Sequence, residues 1–460
     1  MALNEDTIAA ISTAAGQGGI GIIRISGSRA AEIADRIFRP KNGINLCSAP
    51  SHRMLYGHAI DPADGSVIDE VLAVVMRAPR SYTCEDIVEI SCHGGFVPIR
   101  KMLQMLIDEG ARLAEPGEFT KRAFLNGRLN LSQAEAVADI INAKTEKGLR
   151  IAEEQLRGSI SDRLSELREE LVDIASHVEA YIDFPEEDIS TATRKEIFDR
   201  LSVVSGSIRK LSSTFDEARF FKDGLSAAII GRPNVGKSSL LNRLIKKDRA
   251  IVTELPGTTR DIIEEYLNIN GLPVRIIDTA GIRDSDEVIE QEGIRRSRQA
   301  VEQADFVLAL LDSSRPLESE DMELVDMLKG KNHMIVLSKS DLPRMLDTKA
   351  LTDDSDSTIS ISSATGEGID RLKNAIFDLN INKSHNEDEG VIITNMRHKS
   401  ALDRADLALR KTADLLMRDE PVELFSIEMR TALDSMGEIT GTVTTDEVLN
   451  RIFSSFCIGK

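Results

Sequence analysis

The sequence predicts a multidomain α/β and α+β protein. An N-terminal α+β domain is followed by a helical bundle domain, which is interrupted by an inserted α/β domain built around a phosphate-binding loop. Three observations carry this. Residues Gly231 to Ser238 read G-R-P-N-V-G-K-S, between a short apolar run, Ala227 to Ile230, and a helix-compatible stretch, Ser239 to Ile245, which is the strand–loop–helix context that gives such a loop its meaning. Apolar residues recur at helical steps on both sides of that region. Before residue 120 the pattern is different, with short apolar runs punctuated by Gly and Pro.

Along the chain, Ile20 to Ile25, Val71 to Met76 and Ile87 to Ile90 read as strands of the first domain, residues 1–120. From Ser132 the pattern changes. Ser132-Gln133-Ala134-Glu135 has the form of a capping box. Leu156, Ile160, Leu164, Leu167, Leu171, Ile174 and Val178 then recur at three- and four-residue steps, as do Ile197, Leu201, Val204, Ile208, Leu211 and Phe215. Pro185 and the acidic turn after it predict a fold-back, hence a bundle rather than one long coiled coil. The first helical half spans 121–222 and the inserted domain 223–380. Helical periodicity returns in 381–460 (Leu402, Leu409, Leu416), ending in a capped segment from Thr444 or Thr445 to Phe453.

In the inserted region the glycines let backbone N–H groups turn inward around phosphate oxygens, and the following helix N-terminus adds its dipole. Lys237 is expected to reach the β- and γ-phosphates and Ser238 to hold Mg²⁺. Gly231, Asn234, Val235, Gly236 and Ser239 complete the cradle. Thr258-Thr259 stand where a γ-phosphate-sensing threonine belongs, and the strand Leu272 to Ile277 delivers Asp278-Thr279-Ala280-Gly281. Phe306 to Leu311, His333 to Leu337 and Thr358 to Ile361 are further buried-strand candidates. Ser338-Lys339-Ser340-Asp341 and Ser362-Ser363-Ala364 resemble the guanine-reading loops of GTPases, with Ser338 in place of Asn or Thr and Ser363 in place of Ala. Residues 223 to 380 thus resemble a Ras-like GTPase domain of the Era type, with Asp341 the carrier of guanine choice.

The residue after the D-x-x-G element is Ile282, which cannot orient water as the glutamine of Ras does. Asn234, with Leu255-Pro256-Gly257-Thr258-Thr259-Arg260-Asp261, suggests a monovalent cation held beside the phosphates. It would supply the positive charge that the transition state needs, and Glu290 is the candidate for positioning water.

Composition narrows the function. The net charge is −19, which argues against a self-sufficient nucleic-acid binder. The short basic cluster Arg295-Arg296-Ser297-Arg298 reads as a solvated helix face. Four cysteines without paired spacing and an acidic start predict a reduced, cytoplasmic setting. The longest apolar run is too short to span a bilayer. Cys92-His93 reads as a turn before Gly94-Gly95 rather than half a metal site.

Several further motifs resemble the MnmE (TrmE) family of tRNA-modification GTPases. They are L-P-G-T-T-R-D from Leu255, D-T-A-G-I-R from Asp278, the terminal Cys457-Ile458-Gly459-Lys460, Gly18 to Gly27, Glu85 to Glu89 with His93-Gly94-Gly95, and Pro116 to Phe119 with Arg122 to Asn126. Thr13-Ala14-Ala15-Gly16-Gln17 departs from the family's T-P-P-G-R. The resemblance implies a K⁺-dependent GTPase that works as a homodimer with MnmG (GidA), an FAD-containing partner, in a heterotetramer that modifies the wobble uridine of tRNA. It implies K⁺ on Asn234, Thr253, Leu255 and Thr258, Mg²⁺ on Ser238 and Thr259, and nucleotide contacts that include Glu254, Pro256, Gly257 and Lys339. It also implies a 5-formyl- or methylene-tetrahydrofolate site in the N-terminal domain, formed by Arg24, Glu89, Arg128 and Lys460, with Cys457 near it as a possible nucleophile. The rival expectations are a ribosome-assembly GTPase switch and a folate-dependent aminomethyltransferase with a fused GTPase.

Overall fold

A computed structural model describes residues 6–14, 16–183, 191–248, 266–277, 298–347, 358–381, 390–418 and 420–460. The first domain is a seven-stranded sheet formed by β1 (Ile8–Ile11), β2 (Gly21–Ser26), β3 (Phe38–Pro40), β4 (Met54–Ile60), β5 (Val67–Met76), β6 (Ile87–Cys92) and β7 (Arg112–Leu113), in the order β3-β4-β5-β6-β2-β1-β7. Helices α1 (Ala30–Ile37) and α2 (Phe96–Asp108) cover one face. There Ile33, Ile37, Met102 and Leu106 pack on Ile23, Ile25, Val75, Val88 and Ile90. The period-2 alternation of strands then assigns Ile8 and Ala10 to the opposite face. Together with Phe119 and Tyr82 they form a smaller apolar cluster.

Helices α3 (Glu118–Leu125), α4 (Leu131–Asn142), α5 (Glu146–Leu156), α6 (Ser159–Asp183), α7 (Thr191–Ser213) and α8 (Phe215–Asp223) lead to the inserted domain. A division at residue 120 falls within α3. The capping box lies two residues earlier than the sequence reading placed it. Asn130 is the N-cap, accepting from Gln133 N–H at 2.9 Å while the Gln133 side chain accepts from Asn130 N–H at 3.0 Å. Ser132 is buried and donates to Asn130 Oδ1. The apolar run from Leu156 is likewise two helices, because Gly158 (φ 104°) breaks it between α5 and α6. Phe215 opens α8 rather than closing α7.

The inserted domain has six strands, β8 (Leu225–Ile230), β9 (Tyr266–Ile269), β10 (Leu272–Ile277), β11 (Phe306–Asp312), β12 (His333–Ser338) and β13 (Thr358–Ser360). Their order is β13-β12-β11-β8-β10-β9, parallel except for β9. Helices α9 (Lys237–Asp248) and α11 (Ile369–Asn380) cover one face, with α10 (Ser319–Asp326) on the other. Burial on both faces is why these strands are near-continuous apolar runs.

Three helices follow, α12 (Met396–Met417), α13 (Val422–Thr440) and α14 (Asp446–Ser454, N-cap Thr445). Helices α6, α7, α12 and α13 share one apolar core, in which Leu164, Leu171, Leu201 and Ile208 meet Leu402, Leu409, Phe425 and Met436. The bundle is therefore assembled from both sides of the insertion. No helix among the described residues is long and apolar enough to cross a membrane.

Candidate functional site

The loop from β8 to α9 turns through three residues of positive φ, Gly231 (154°), Asn234 (62°) and Gly236 (105°). A Cβ at Gly231 would meet the Leu310 carbonyl oxygen at 2.7 Å, so glycine is required there; Asn is among the few other residues that tolerate the left-handed region. Lys237 donates from Nζ to the carbonyls of Gly231 (2.6 Å) and Arg232 (2.8 Å), which holds its ammonium across the loop's mouth. Burial lowers the Lys237 pKa from its ordinary value. Arg232 pairs with Glu318 at 2.9 Å and pins the outer side of the loop to the start of α10. Ser238 and Ser239 stand in the first turn of α9.

The two base-loop candidates lie at the same sheet edge, beyond the C-terminal ends of β12 and β13, where open α/β sheets bind ligands. Ser338 is 2 % exposed, and its hydroxyl donates to the Val235 carbonyl inside the phosphate loop at 2.6 Å. The backbone carbonyl of Ser338 accepts from the Ser313 hydroxyl at 2.7 Å. Lys339, at φ 57°, pairs with Asp312 at 2.6 Å. Burial pushes the Asp312 carboxyl up, but Lys339 and Ser314 outweigh it and hold the group below its ordinary range. Ser340 N–H donates to Ile361 O at 3.0 Å, joining the two loops. Ser362 is buried, Ser363 half-buried and Asp341 exposed at the rim. The structure thus brings together Gly231, Asn234, Val235, Gly236, Lys237, Ser238, Ser239, Ser338, Lys339, Asp341, Ser362 and Ser363. Thr253, Glu254, Leu255, Pro256, Gly257, Thr258, Thr259, Asp278, Thr279, Ala280, Gly281, Ile282 and Glu290 lie outside the described residues, as do Pro185 and Arg295 to Ser297.

A second constellation occupies the face of the N-terminal sheet opposite α1 and α2. Register places Ala10, Arg24, Glu89 and Val74 side by side across β1, β2, β6 and β5, and directly opposed residues share a face. Arg24 and Glu89 are paired with each other at 2.8 Å, an arrangement that the motifs alone did not contain. The Tyr82 ring receives the Arg24 guanidinium at 5.4 Å and that of Arg128 at 4.8 Å, and Arg128 also donates to Tyr82 O at 2.7 Å. Tyr82 was missed from sequence, where a lone aromatic in a loop carries no signal. It is held by a buried brace. Ser26 bonds Thr83 and Glu85, each at 2.7 Å, and Arg122, 7 % exposed at its side chain, pairs with Asp6, Glu85 and Glu118.

The C-terminal residues dock beside this face. Gly459 O accepts from the Ser12 hydroxyl at 3.1 Å, and a Cβ at Gly459 would strike Ile11 O at 2.3 Å. Lys460 is therefore brought to the end of β1, the strand that pairs with the strand of Arg24, while Cys457 is exposed. Cys92 and His93 are engaged separately. The Cys92 thiol is buried against Gly21 O, and His93 pairs with Asp69 at 2.6 Å. Among the described residues no group of three or more His, Cys, Asp or Glu could hold a metal.

A parallel sheet carrying this phosphate loop, with paired base loops at its C-terminal edge, defines a P-loop GTPase. Comparison with known proteins specifies which kind. The family described as "GTP-binding protein TrmE N-terminus" matches residues 7–128, and "MnmE helical domain" matches residues 131–457. The tRNA modification GTPase MnmE of Thermoanaerobacter pseudethanolicus is 48% identical over 99% of both chains, and that of Geobacillus kaustophilus is 45% identical over 99% of both. Among solved structures, the G domain of the T. maritima FeoB iron transporter is 25% identical, covering 34% of this chain and 98% of its own with a TM-score of 0.25. Aquifex aeolicus Era bound to GDP·AlF4⁻ is 26% identical, covering 40% and 66%, also with a TM-score of 0.25. The chain belongs to the MnmE family of tRNA-modification GTPases.

Proposed function

We propose that this protein is a K⁺-dependent GTP hydrolase acting with an FAD-containing partner, MnmG. Together they add an aminomethyl or carboxymethylaminomethyl group to C5 of the wobble uridine of certain tRNAs, using a tetrahydrofolate one-carbon unit. The observation that carries the reading is the phosphate loop itself, with the Lys237 ammonium poised at its mouth and its Val235 carbonyl tied to the base-loop residue Ser338.

Lys237 and the loop amides hold phosphates in this reading, Asp341 reads guanine, and Ser338, Lys339, Ser362 and Ser363 shape the base loops. Ser238 with Thr259 would hold Mg²⁺, and their hydroxyls suit a hard cation. Asn234 is the one neutral side-chain oxygen in the loop before α9. It fits as a K⁺ donor beside Thr253, Thr258 and the Leu255 carbonyl; the cation would supply the positive charge that an arginine finger supplies elsewhere. Glu290 would position water.

Arg24, Glu89, Arg128 and Lys460 fit a folate. Guanidinium and ammonium groups suit its glutamyl carboxylates, a carboxylate suits the pterin amine, and Tyr82 offers an aromatic wall. Cys457, exposed at the same tail, is the candidate for the modification chemistry. The names of the relatives support the tRNA role, and the −19 charge supports a partner that supplies much of the tRNA surface. We place the work in the cytoplasm, in a homodimer joined to MnmG, with the GTPase unit at 223–380 between two helical halves. GTP hydrolysis in KCl and NaCl at matched ionic strength tests the reading. Strong K⁺ stimulation lost in Asn234→Ala is expected, and equal rates in both salts would overturn the cation assignment.

A further inference from the structure

Beside Tyr82, the loops 76–84 and 126–128 border a wide-mouthed surface cavity of about 570 Å³ whose lining includes His52, Arg80, Tyr82, Asn126 and Arg128. Its lining contains two arginines and a histidine but no carboxylate, in a chain whose net charge is −19. Several cations elsewhere on this domain are neutralised locally. Arg77 pairs with Asp86, Arg112 with Asp6 and Glu118, and Arg36 with Glu32 and Glu109. Arg80 and Arg128 have no carboxylate partner among the described residues, and Arg128 spends one N–H on a backbone carbonyl.

The walls are firmly set. Arg77 donates to the carbonyls of Leu46 and Cys47, Asp86 accepts from Ala78 N–H, and Asn126 donates to Thr83 O at 2.6 Å. A cavity of this volume, with fixed walls and unneutralised guanidinium groups, suits an elongated polyanion. The cavity meets the Arg24–Glu89 row at Tyr82, which both Arg24 and Arg128 contact.

We propose that this cavity binds the poly-γ-glutamyl tail of the folate, so that Arg80 is a specificity residue for polyglutamylated over monoglutamyl cofactor. The proposal rests on the folate reading above. Arg128 and Arg80 line the same cavity, and each glutamate added beyond the first would bring one more carboxylate to it.

The test is calorimetric titration of the full-length protein with 5-formyl-tetrahydrofolate carrying one glutamate and carrying three. The triglutamate is expected to bind about tenfold more tightly, about 1.4 kcal/mol. That advantage should fall to about twofold or less in Arg80→Ala and be partly restored in Arg80→Lys, with monoglutamate affinity unchanged throughout. Equal affinity of wild type for both folates would overturn the proposal while leaving the folate site standing. Failure of both to bind would overturn the folate reading itself. If Arg80→Ala weakened tRNA binding and left the triglutamate preference intact, the cavity would be a phosphate contact instead.

Discussion

Removing the hydroxyl of Ser338 should loosen the phosphate loop without touching a phosphate. Ser338→Ala deletes the donor to Val235 O, at 2.6 Å the hydrogen bond that ties the loop to the end of β12. Ser338 and Val235 are 2 % and 4 % exposed, so water cannot replace the lost partner without opening the loop. A buried hydrogen bond contributes about 1 kcal/mol net, and an orphaned buried carbonyl raises the loss to about 1–3 kcal/mol. Because Val235 is flanked by the left-handed Asn234 and Gly236, the least costly relaxation is local. The bound conformation then becomes a fraction of the ensemble, and apparent affinity falls by that fraction. If about 1 kcal/mol of the loss appears in the loop, the Kd for GDP and for GTP should each rise about fivefold, since the cradle serves phosphates common to both. A fluorescent GDP titration, with GTP by competition, reads the affinities, and urea unfolding reads global stability. Ser338→Thr, which keeps the hydroxyl, should stay closer to wild type. An unchanged Kd with the whole loss in unfolding free energy, or weakening confined to GTP, would refute the reasoning.

Three other outcomes follow from buried charge and exposure. Burial pushes the Glu135 carboxyl up, but His398 and Arg397, at 2.7 Å each, outweigh it and bring its pKa down to about 2. Since the folded pKa lies below the unfolded one, its stabilisation is present above about pH 4.3 and is lost as pH falls toward 2. Glu135→Gln should therefore flatten the acid limb of a circular-dichroism pH titration, and Glu135→Ala should lower the unfolding free energy by about 3–5 kcal/mol. Burial also pushes the Cys92 thiol up to about 11. Labelling the native protein at pH 8 should therefore mark the exposed Cys47 and Cys457 and reach Cys92 only on unfolding. Finally, Arg24→Ala leaves Glu89 without its partner on the face that also carries Tyr82. We expect folate binding to fall at least tenfold with basal GTP hydrolysis unchanged, read by titration and phosphate release in the same preparations.

The parts of the fold legible in the sequence were those in which one residue pattern has one physical meaning. Strands β8, β11 and β12 stood out because a sheet covered on both faces needs unbroken apolar runs, and the helices of the bundle stood out by their period. Local punctuation was harder. Ser132 and Asn130 both begin a plausible capping box, and only the backbone shows that Asn130 is the cap and Ser132 is buried. The break at Gly158 hid inside an apolar spacing that continues in phase across it. Within the sites, residues that act by motif position were readable and those that act through distant contacts were not. The Arg24–Glu89 pair depends on strand register across 65 residues. The hydroxyl of Ser338, which reads as a departure from a guanine-binding motif, reaches back 103 residues to the phosphate loop.

The route by which the inserted domain joins the bundle has a mechanical consequence. Thr214, where α8 begins, accepts from Ile393 N–H at 3.0 Å, and Gln155 donates to Ile392 O at 3.0 Å and to Thr394 at 3.1 Å. The outgoing and returning strands of chain are thus clasped together although 179 residues separate Thr214 from Ile393. The clasp holds both ends of the insertion at one point of the bundle, and Ile151 of α5 packs into the inserted domain's own apolar core. Motion begun at the phosphate loop would reach the bundle at Thr214 and Ile393, and a linker joining those two residues would have almost no gap to bridge.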